Sequence, residues 1–439
     1  MKIIKTAIIF FVFKFSFCLD WSGYFSTDHR VLIKDDYPLS FEEYRLNLNP
    51  QETINDNIKF YSEIWLRSFG LPEIKELSDL FSKENLTPFD LDIREAYIDI
   101  LKFPIKNVDI RIGRQRVAWG AADKINPTDN INPLDLEDIW DFGRHLGSNG
   151  IKVDGYIKDF NLSYVFIPHF TPALLSENSI YTNYSNITLA PEINPVNITN
   201  SISIPDYNLK NSIQGMRLKK NIFDFDLSLS YVYGRDGIPI LKKTTIIPLN
   251  MFGDVDIHNE LTYPKMQIFG MDFAGAIGDI GIWGEGALFL PESVHYIIDL
   301  SQLGMGVIDS VILKKDPYVK FVIGTDYTFK NGIYINLQYA HGFFQERNNE
   351  IEDYILTGLE WKLFEERLKL MPLSGGMEIK DFSDFKNNYA VVYAPEISYK
   401  PFENCELCLG LRVIEGKETT NFGRLKNNDE VFLKVKYSF

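Results

Sequence analysis

The chain has 439 residues, of which 45% are hydrophobic and 14% aromatic, and it carries a formal net charge of −15 with a pI near 5.0. This acidic charge disfavours nucleic acid as a partner, because phosphate binding requires a basic surface. The mean hydropathy of −0.12 and the absence of a long apolar run after residue 18 exclude a helical membrane protein.

The first 18 residues are typical of a secretory signal peptide. Lys2 and Lys5 precede an almost wholly apolar run over residues 6–17, which is too short for a comfortable membrane span. We expect cleavage after Cys18, which leaves residues 19–439 as a single domain. A lipidated Cys18 is the alternative, but Phe17 occupies the position where a small residue normally precedes the lipidated cysteine.

From residue 20 onward, strand-like runs of alternating apolar and polar residues recur, and the connections between them alternate between short and long. This order predicts an all-β fold, a transmembrane antiparallel up-and-down β-barrel with short periplasmic turns and long extracellular loops. The runs amount to about eighteen strands, with sixteen as the fallback because the runs at 20–33 and 370–380 are weak. A β-sandwich or propeller is the soluble competitor, and it does not explain the ordered connections.

Charged residues recur with a period of two in three neighbouring runs, at 58–67, 95–100 and 108–112. An Arg or Lys facing hydrocarbon at the bilayer midplane costs about 2–4 kcal/mol, so we expect the charged face to line the lumen. That face could be a pore wall that selects solutes, or a set of cross-strand ion pairs that hold the strand register. Its members are Lys59, Glu63, Arg67, Glu95, Asp99, Asp109 and Arg111.

The most unusual segment leaves the third of these runs and enters a long connection, by count the third external loop. It contains two similar turn signals, Asn-Pro-Thr-Asp at 126–129 and Asn-Pro-Leu-Asp at 132–135. Proline fixes its own φ and holds the preceding residue extended, and the aspartate can accept hydrogen bonds from nearby amides, so we expect an ordered loop. We also expect Gly113 to mark a bulge that turns Arg114 and Arg116 toward the lumen.

Two roles are open for this loop. As a constriction, it would present opposed charges across a narrow passage, from Arg114 and Arg116 on one side and Asp123, Asp129 and Asp135 on the other. As a structural latch, it would pair Arg114 with a loop aspartate and pack Trp119 against the wall. A calcium site is a further, weaker hypothesis, built from the oxygens of Asp123, Asp129, Asp135, Glu137 and Asp138.

The motif of this segment, Gly-Arg-Gln…Trp-Gly-x-x-Asp-x-x-Asn-Pro-Thr-Asp-x-x-Asn-Pro-x-Asp, resembles a large group of Gram-negative outer-membrane proteins described only as a domain of unknown function. That group is broadly similar to porin and alginate-export barrels. The resemblance implies an outer-membrane barrel, often discussed with envelope export or lipid transport, and it gives no substrate. The chain keeps the motif at Arg114, Gln115, Trp119, Gly120, Asp123, Asn126, Pro127, Asp129, Asn132, Pro133 and Asp135.

Near the C-terminus, Cys405 and Cys408 stand in a strand-like run, where their sulfur atoms would point to opposite faces. We interpret them as ordinary strand positions and predict no metal site, cofactor or catalytic motif.

The last run, 430–439, alternates an apolar face that ends in Tyr437 and Phe439 with a charged and hydroxyl-bearing face. A soluble protein rarely ends on an apolar edge strand, whereas a barrel closes by pairing its last strand with its first. The end resembles the C-terminal signal of Gram-negative outer-membrane proteins that the barrel-assembly machinery reads.

The sequence therefore favours a porin-like outer-membrane channel for small polar solutes, which needs no catalytic residue. The alternatives are a conduit for an envelope export or lipid-transport system, an outer-membrane enzyme, and a structural or adhesion barrel. Expected partners are outer-membrane lipids and lipopolysaccharide, the barrel-assembly machinery, and either a second copy of the chain or periplasmic and inner-membrane transport components.

Overall fold

The structure, a computed structural model, describes residues 19–34, 36–176, 194–348 and 350–439. The signal peptide predicted for residues 1–18 lies outside the described residues. In the described part of the chain, antiparallel strands follow one another around a sheet that closes on itself. No helix in this part is both long enough and apolar enough to cross a membrane.

The barrel has 18 strand positions. The last strand closes the ring on the first, with Tyr24 opposite Ser438 and Leu32 opposite Glu430. One position is filled by two short segments, which share the same two neighbouring strands. In chain order the strands are β1 Asp20–Leu32, β2 Leu39–Asn55, β3 Ile58–Phe69, β4 Phe89–Ile100, β5 Val108–Gln115, β6 Ser148–Ile157, β7 Phe160–Ile167, β8 Ile213–Ile222, β9 Phe225–Arg235, β10 Lys265–Ile277, β11 Ile280–Pro291, β12 Tyr318–Thr328, β13 Ile333–His341, β14 Asp353–Leu363, β15 Leu368–Ile379, β16 Tyr389–Tyr393 with Glu396–Phe402, β17 Cys405–Gly416 and β18 Glu430–Ser438.

The predicted fold class is confirmed, at the larger of the two strand counts. Both weak runs form strands, since β1 pairs with β2 and β18, and the glycine-rich β15 pairs with β14 and β16. Pairing on both sides supplies the stability that local propensity does not provide, which is why strand propensity depends on context.

The connections alternate as predicted. One end of the barrel carries the short turns 56–57, 101–107, 158–159, 223–224, 278–279, 329–332, 364–367 and 403–404. The other end, which we call the loop end, carries 33–38, 70–88, 116–147, 168–212, 236–264, 292–317, 342–352, 380–388 and 417–429. The segment 116–147 is therefore the third connection at the loop end, and from here on it is the inner loop.

Three of these long connections are not plain loops, as the sequence had led us to expect. They contribute five strands to a separate sheet beyond the loop end, here called the external sheet. Its strands are Asn194–Ser203, Ile240–Pro248, Asp254–Thr262, Val294–Asp299 and Val307–Leu313. Pairing between connections that are distant in sequence creates this sheet, so local patterns alone could not reveal it.

The two faces of the barrel wall differ sharply in composition. Along β12, Val319, Phe321 and Ile323 are 46%, 37% and 49% exposed on the outer face, whereas Lys320 and Val322 between them are buried. Exposed Ile, Leu, Phe, Met and Val side chains recur in the same way on the other strands. An apolar outer band around a polar interior is the pattern of a barrel whose outer face meets lipid.

The facing of these side chains can be tested with two neighbouring residues of β13. Leu337 is 51% exposed on the outer face, while Asn336 bonds to Tyr334 and Gln338 on the inner face. Leu337→Lys should lower the free energy of unfolding in lipid vesicles by about 2–4 kcal/mol, because it places a charge in hydrocarbon. Asn336→Lys, the matched control, should cost far less. Equal losses in urea titrations of the two variants would contradict the assigned faces.

Candidate functional site: the barrel lumen and the inner loop

The inner loop lies inside the barrel. Its contacts reach strands on different sides of the ring: Asp138 meets Arg30 of β1, Ala121 meets Glu285 of β11, and Trp119 lies against β8. A loop that only covered the barrel mouth could not make these contacts at once. The inner loop therefore reaches across the lumen from one wall to another.

A single buried carboxylate holds one end of the loop. Glu285 is 4% exposed and accepts hydrogen bonds from the backbone N–H groups of Ala121 at 2.6 Å, Ala122 at 3.2 Å and Thr128 at 3.3 Å. Gly120 lies beside it with a φ of +101°, and a Cβ atom there would be 2.2 Å from a Glu285 carboxylate oxygen. Only glycine fits this conformation and this approach.

Arginines of the barrel wall hold the opposite part of the loop. Arg94 of β4 donates to Asp135 at 2.9 Å, Arg67 of β3 to Glu137 at 2.7 Å, and Arg30 of β1 to Asp138 at 2.9 Å. Within the loop, Asp135 also accepts a hydrogen bond from Arg144 at 3.0 Å. Three wall strands thus clamp three carboxylates within residues 135–138 with charge-assisted bonds.

Two of these carboxylates, Asp135 and Asp138, are held in their ionised form. Burial by itself raises the pKa of Asp135, but the charges of Arg144 and Arg94 outweigh burial and leave that pKa below its usual value. Burial also opposes ionisation of Asp138, yet the Arg30 guanidinium holds the pKa of Asp138 well below its usual range. The clamp is therefore an ionic one at neutral pH.

Apolar packing fixes the remainder of the loop. Trp119 and Ile131 are buried in a cluster with side chains of β7 to β12. Leu136 belongs to a second cluster that extends from β11 to β17. At Gly215 of β8, a Cβ atom would lie 2.3 Å from Ile131 and 2.8 Å from Trp119, so the absence of a side chain lets the loop approach the wall.

The motif residues mostly serve the shape of the loop itself. Arg116 pairs with Asp129, and Asn132 accepts the N–H of Val117 at 2.7 Å while donating to the carbonyl of Gln115 at 2.9 Å. Asn126 donates to the carbonyl of Ala122. These contacts tie the two Asn-Pro turns to the strand end before them, so the motif encodes a folded loop.

Most of the predicted wall residues on β3, β4 and β5 have bonded partners, although only Arg111 and Asp99 bond to each other. Arg111 donates to Asp99 at 2.7 Å, and Glu95 accepts the N–H of Arg116 at 2.7 Å. Glu63 accepts from Asn47 and Trp65, both at 2.8 Å. Two predicted members lie at the turn end instead: Asp109 accepts the N–H of Lys102, and Lys59 is exposed.

Three details of the sequence interpretation are wrong. Arg114 lies 4.0 Å from Asp92 of β4 rather than pairing with a loop aspartate. The register of β5 runs unbroken through Gly113, while the irregularity lies in the pairing of β3 with β4, where Arg94 is skipped. The proposed calcium ligands do not converge, and no group of three or more His, Cys, Asp or Glu in the described residues could hold a metal.

Sequence reasoning missed Arg30, Arg94, Arg144 and Glu285. Arg94 had a detectable signal, because the two successive charges Arg94 and Glu95 interrupt strict alternation and so indicate a bulge. Glu285 had a weaker one, as a lone carboxylate between Gly284 and Gly286 in an otherwise apolar run. Nothing local shows that its partners are backbone amides more than 150 residues away.

Solved structures share this architecture. The chain is similar to OccAB4 of Acinetobacter baumannii, with a TM-score of 0.53 and 9% identity over 96% of this chain and 98% of that one. It is also similar to OccK11 (OpdR) of Pseudomonas aeruginosa, with a TM-score of 0.51 and 9% identity over 95% of both chains. At this identity the likeness shows the fold alone. No protein-family model and no curated protein matches the chain.

Removal of the Glu285 anchor should release the inner loop. Glu285→Ala leaves three amides without their charged acceptor, and each such bond contributes about 1.5–3 kcal/mol. We expect tryptic cleavage after Lys124 to accelerate at least tenfold in the folded barrel, with an intermediate rate for Glu285→Gln. Glu260→Ala in the external sheet is the control. Unchanged cleavage in Glu285→Ala would show that the other contacts suffice to hold the loop.

Acid should loosen the ionic clamp, which holds the part of the inner loop opposite the Glu285 anchor. Because the pKa of Asp138 is lower in the folded protein, its ion pair with Arg30 stabilises the folded loop at pH values above the pKa of an unfolded aspartate, near 3.9. That stabilisation is lost as the pH falls through the pKa of Asp138 in the folded protein. Hydrogen exchange of residues 134–142, corrected for intrinsic rates, should therefore stay slow from pH 7 to 5 and accelerate below about pH 4. Asp138→Asn should exchange faster already at pH 7, and a wild-type transition near pH 6 would contradict the assignment.

Proposed function

We propose that this protein is an outer-membrane channel that passes small polar solutes through its lumen. The observation that carries the proposal is the inner loop, which is anchored to opposite walls and leaves charged side chains of the lumen partly exposed. Arg111, Arg114 and Glu137 are 26%, 32% and 29% exposed at their side chains. Charged, solvated groups beside a constriction are the means by which channels discriminate among solutes.

The barrel itself supports this reading. Its outer band is apolar, its interior combines buried charged groups with apolar packing around the inner loop, and its fold is shared with OccAB4 and OccK11. Passage needs no chemistry, so the protein would act without a catalytic residue or cofactor. Selectivity would depend on the inner loop and on the wall residues of β1 to β5 and β14 to β18.

The cellular setting follows from the same proposal. The signal peptide would direct the chain across the inner membrane, and the apolar band would meet outer-membrane lipid and lipopolysaccharide. Tyr437 of β18 and Phe439, which follows the end of β18, are both about half exposed, and Phe439 exchanges backbone hydrogen bonds with Gly23 of β1. They are thus available to the barrel-assembly machinery until β18 pairs with β1. Membership of the family with the inner-loop motif, and assembly with further copies or periplasmic components, stay predictions.

A plugged structural barrel is the second candidate, because the loop end of the lumen is filled with packed apolar groups. Phe343 and Phe422 come from two further loops and lie against Tyr354 of β14, with ring centroids 5.3 Å and 6.0 Å away. In the same loop as Phe422, the main-chain N–H groups of Asn421 and Phe422 bond to Glu378 of β15. A plug of this kind would hold the lumen closed.

Planar-bilayer recording of the purified protein separates these candidates. The channel proposal predicts stepwise, ohmic conductance with a measurable ion preference, whereas a plug predicts closed traces. Lipid retained in a closed, purified barrel would favour a lipid conduit, and hydrolysis of ester substrates would favour an enzyme.

Arg114, near the end of β5 just before the inner loop, provides a further test of the channel. Arg114→Ala should shift the reversal potential toward cations, because it removes a positive charge that is 32% exposed and only weakly paired. The thermal stability of the folded barrel should hardly change, because a partly exposed ion pair contributes about 0–1 kcal/mol. Loss of stability with unchanged selectivity would assign Arg114 a structural role instead.

A further inference from the structure

A second feature of the lumen lies away from the arginine clamp, on the wall of β14 to β18. Cross-strand pairing sets one row of inward-facing residues across four of these strands: Lys434 lies opposite Cys408, Cys408 opposite Ser398, and Ser398 opposite Lys369. Lys362 continues the row on β14. We call this set the lysine row.

The centre of the lysine row is open. Two small residues separate Lys434 from Lys369, whose backbones lie three strand spacings apart, roughly 14 Å. A cavity of about 310 Å³ lies over the row and is bounded by Lys434, Cys408, Ser398 and Lys369. A second cavity of about 190 Å³ shares Ser398 and Lys369 with the first and extends to Glu366 at the turn end. The lysine row thus borders two adjoining cavities, one beside the inner loop and one nearer the turn end of the barrel.

Among the charged groups of this space that have no arginine partner, the lysines exceed the carboxylates by one. Of the six carboxylates around the larger cavity, four already have arginine partners: Asp28 and Asp138 pair with Arg30, Glu43 pairs with Arg67 and Arg45, and Asp141 lies near Arg144. The carboxylates that remain around the two cavities are Glu360, Glu366, Glu396 and Glu406. Five lysines face them: Lys362, which pairs with Glu360 and Glu366, and Lys369, Lys400, Lys434 and Lys436.

The lysines of the row are placed to reach a solute. The side chains of Lys434 and Lys369 are 38% and 31% exposed. Their ion pairs are long, at 3.3 Å to Asp28 and 3.9 Å to Glu406, and Asp28 is already bonded to Arg30 at 2.7 Å.

The residue between them has an unused polar group. Ser398 is 3% exposed, and its buried Oγ has no nitrogen or oxygen partner among the described residues; its neighbour across the strands is the Cys408 thiol, a weak acceptor. A buried hydroxyl without a strong partner is costly, so an incoming anionic oxygen would satisfy it.

We propose that the lysine row is a binding site for small organic anions on their way through the lumen. Lys434 and Lys369 contact the anionic oxygens from two sides, and Ser398 donates a hydrogen bond between them. The assignment rests on the proposed function insofar as it gives the channel its preferred solutes. Carboxylates and phosphates share the chemistry it requires.

Cys408 provides a direct probe, because its thiol lies within the row, whereas Cys405 three residues earlier points to the other face of β17. The experiment uses the folded full-length chain in detergent with Cys405→Ala. It compares the rates at which an anionic and a cationic methanethiosulfonate modify Cys408, and the double variant Cys405→Ala, Cys408→Ala corrects for other thiols. Focusing of charge in a cleft raises local counter-ion concentrations by roughly tenfold or more.

When Lys369→Gln and Lys434→Gln are added together to the Cys405→Ala protein, the ratio of the anionic to the cationic modification rate of Cys408 should therefore fall by about tenfold. Lys369→Gln alone, which keeps the Lys434–Asp28 pair, should give a smaller decrease, and Lys330→Gln in an exposed turn should give none. Succinate or inorganic phosphate should slow modification in the lysine-containing protein only. Protection by succinate alone would assign the site to carboxylates, and protection by phosphate alone to phosphates.

The site would be overturned if the two lysine substitutions left the rate ratio unchanged. It would also be overturned if neither succinate nor phosphate slowed the modification of Cys408. Loss of the folded form, seen as lost heat-modifiable migration on gels, would disqualify the double variant and leave the decision to Lys369→Gln. The labelling assay needs no conductance. A barrel that is closed in bilayers but shows the lysine effect would refute the channel and retain the anion site.

Discussion

Closure of the sheet is the constraint on which the rest of this structure depends. The pairing of β1 with β18 leaves no open edge in the barrel wall, so the backbone groups of every strand find partners within the sheet. Closure also creates an inside and an outside from a simple alternation of side chains. Charged residues that would be costly in lipid become wall groups of an enclosed, polar space.

That enclosed space explains why the inner loop can be so rich in charge. Outside the barrel its carboxylates would be solvated and the loop would gain little from an ordered shape. Inside, they meet Arg30, Arg67 and Arg94, each of which also pairs with a carboxylate of the wall. Removing one member of a buried ion pair strongly destabilises the folded protein, because the other charge is left buried without a partner. The loop and the wall therefore hold each other in place.

The lumen is also asymmetric around its axis. The loop packs its apolar groups, such as Trp119 and Ile131, on the wall of β7 to β12 and turns its carboxylates toward β1, β3 and β4. The wall of β14 to β18 keeps its lysines on open cavities. The loop therefore packs against one side of the lumen and is clamped to another, while part of the wall of β14 to β18 borders open cavities. The anion site proposed above lies against those cavities.

Much of this could be predicted from the sequence, because the relevant signals are local. Period-two alternation gives strands and their two faces, Asn-Pro turns give an ordered loop, and the charged positions of β3 to β5 give an inner wall. The residues that hold the loop could not be found in this way. Glu285 and Arg30 are each more than 100 residues from their loop partners, and their roles arise only when the ring closes. The external sheet and the lysine row have the same origin, since strand register across a closed barrel is a property of the tertiary structure and not of any single segment.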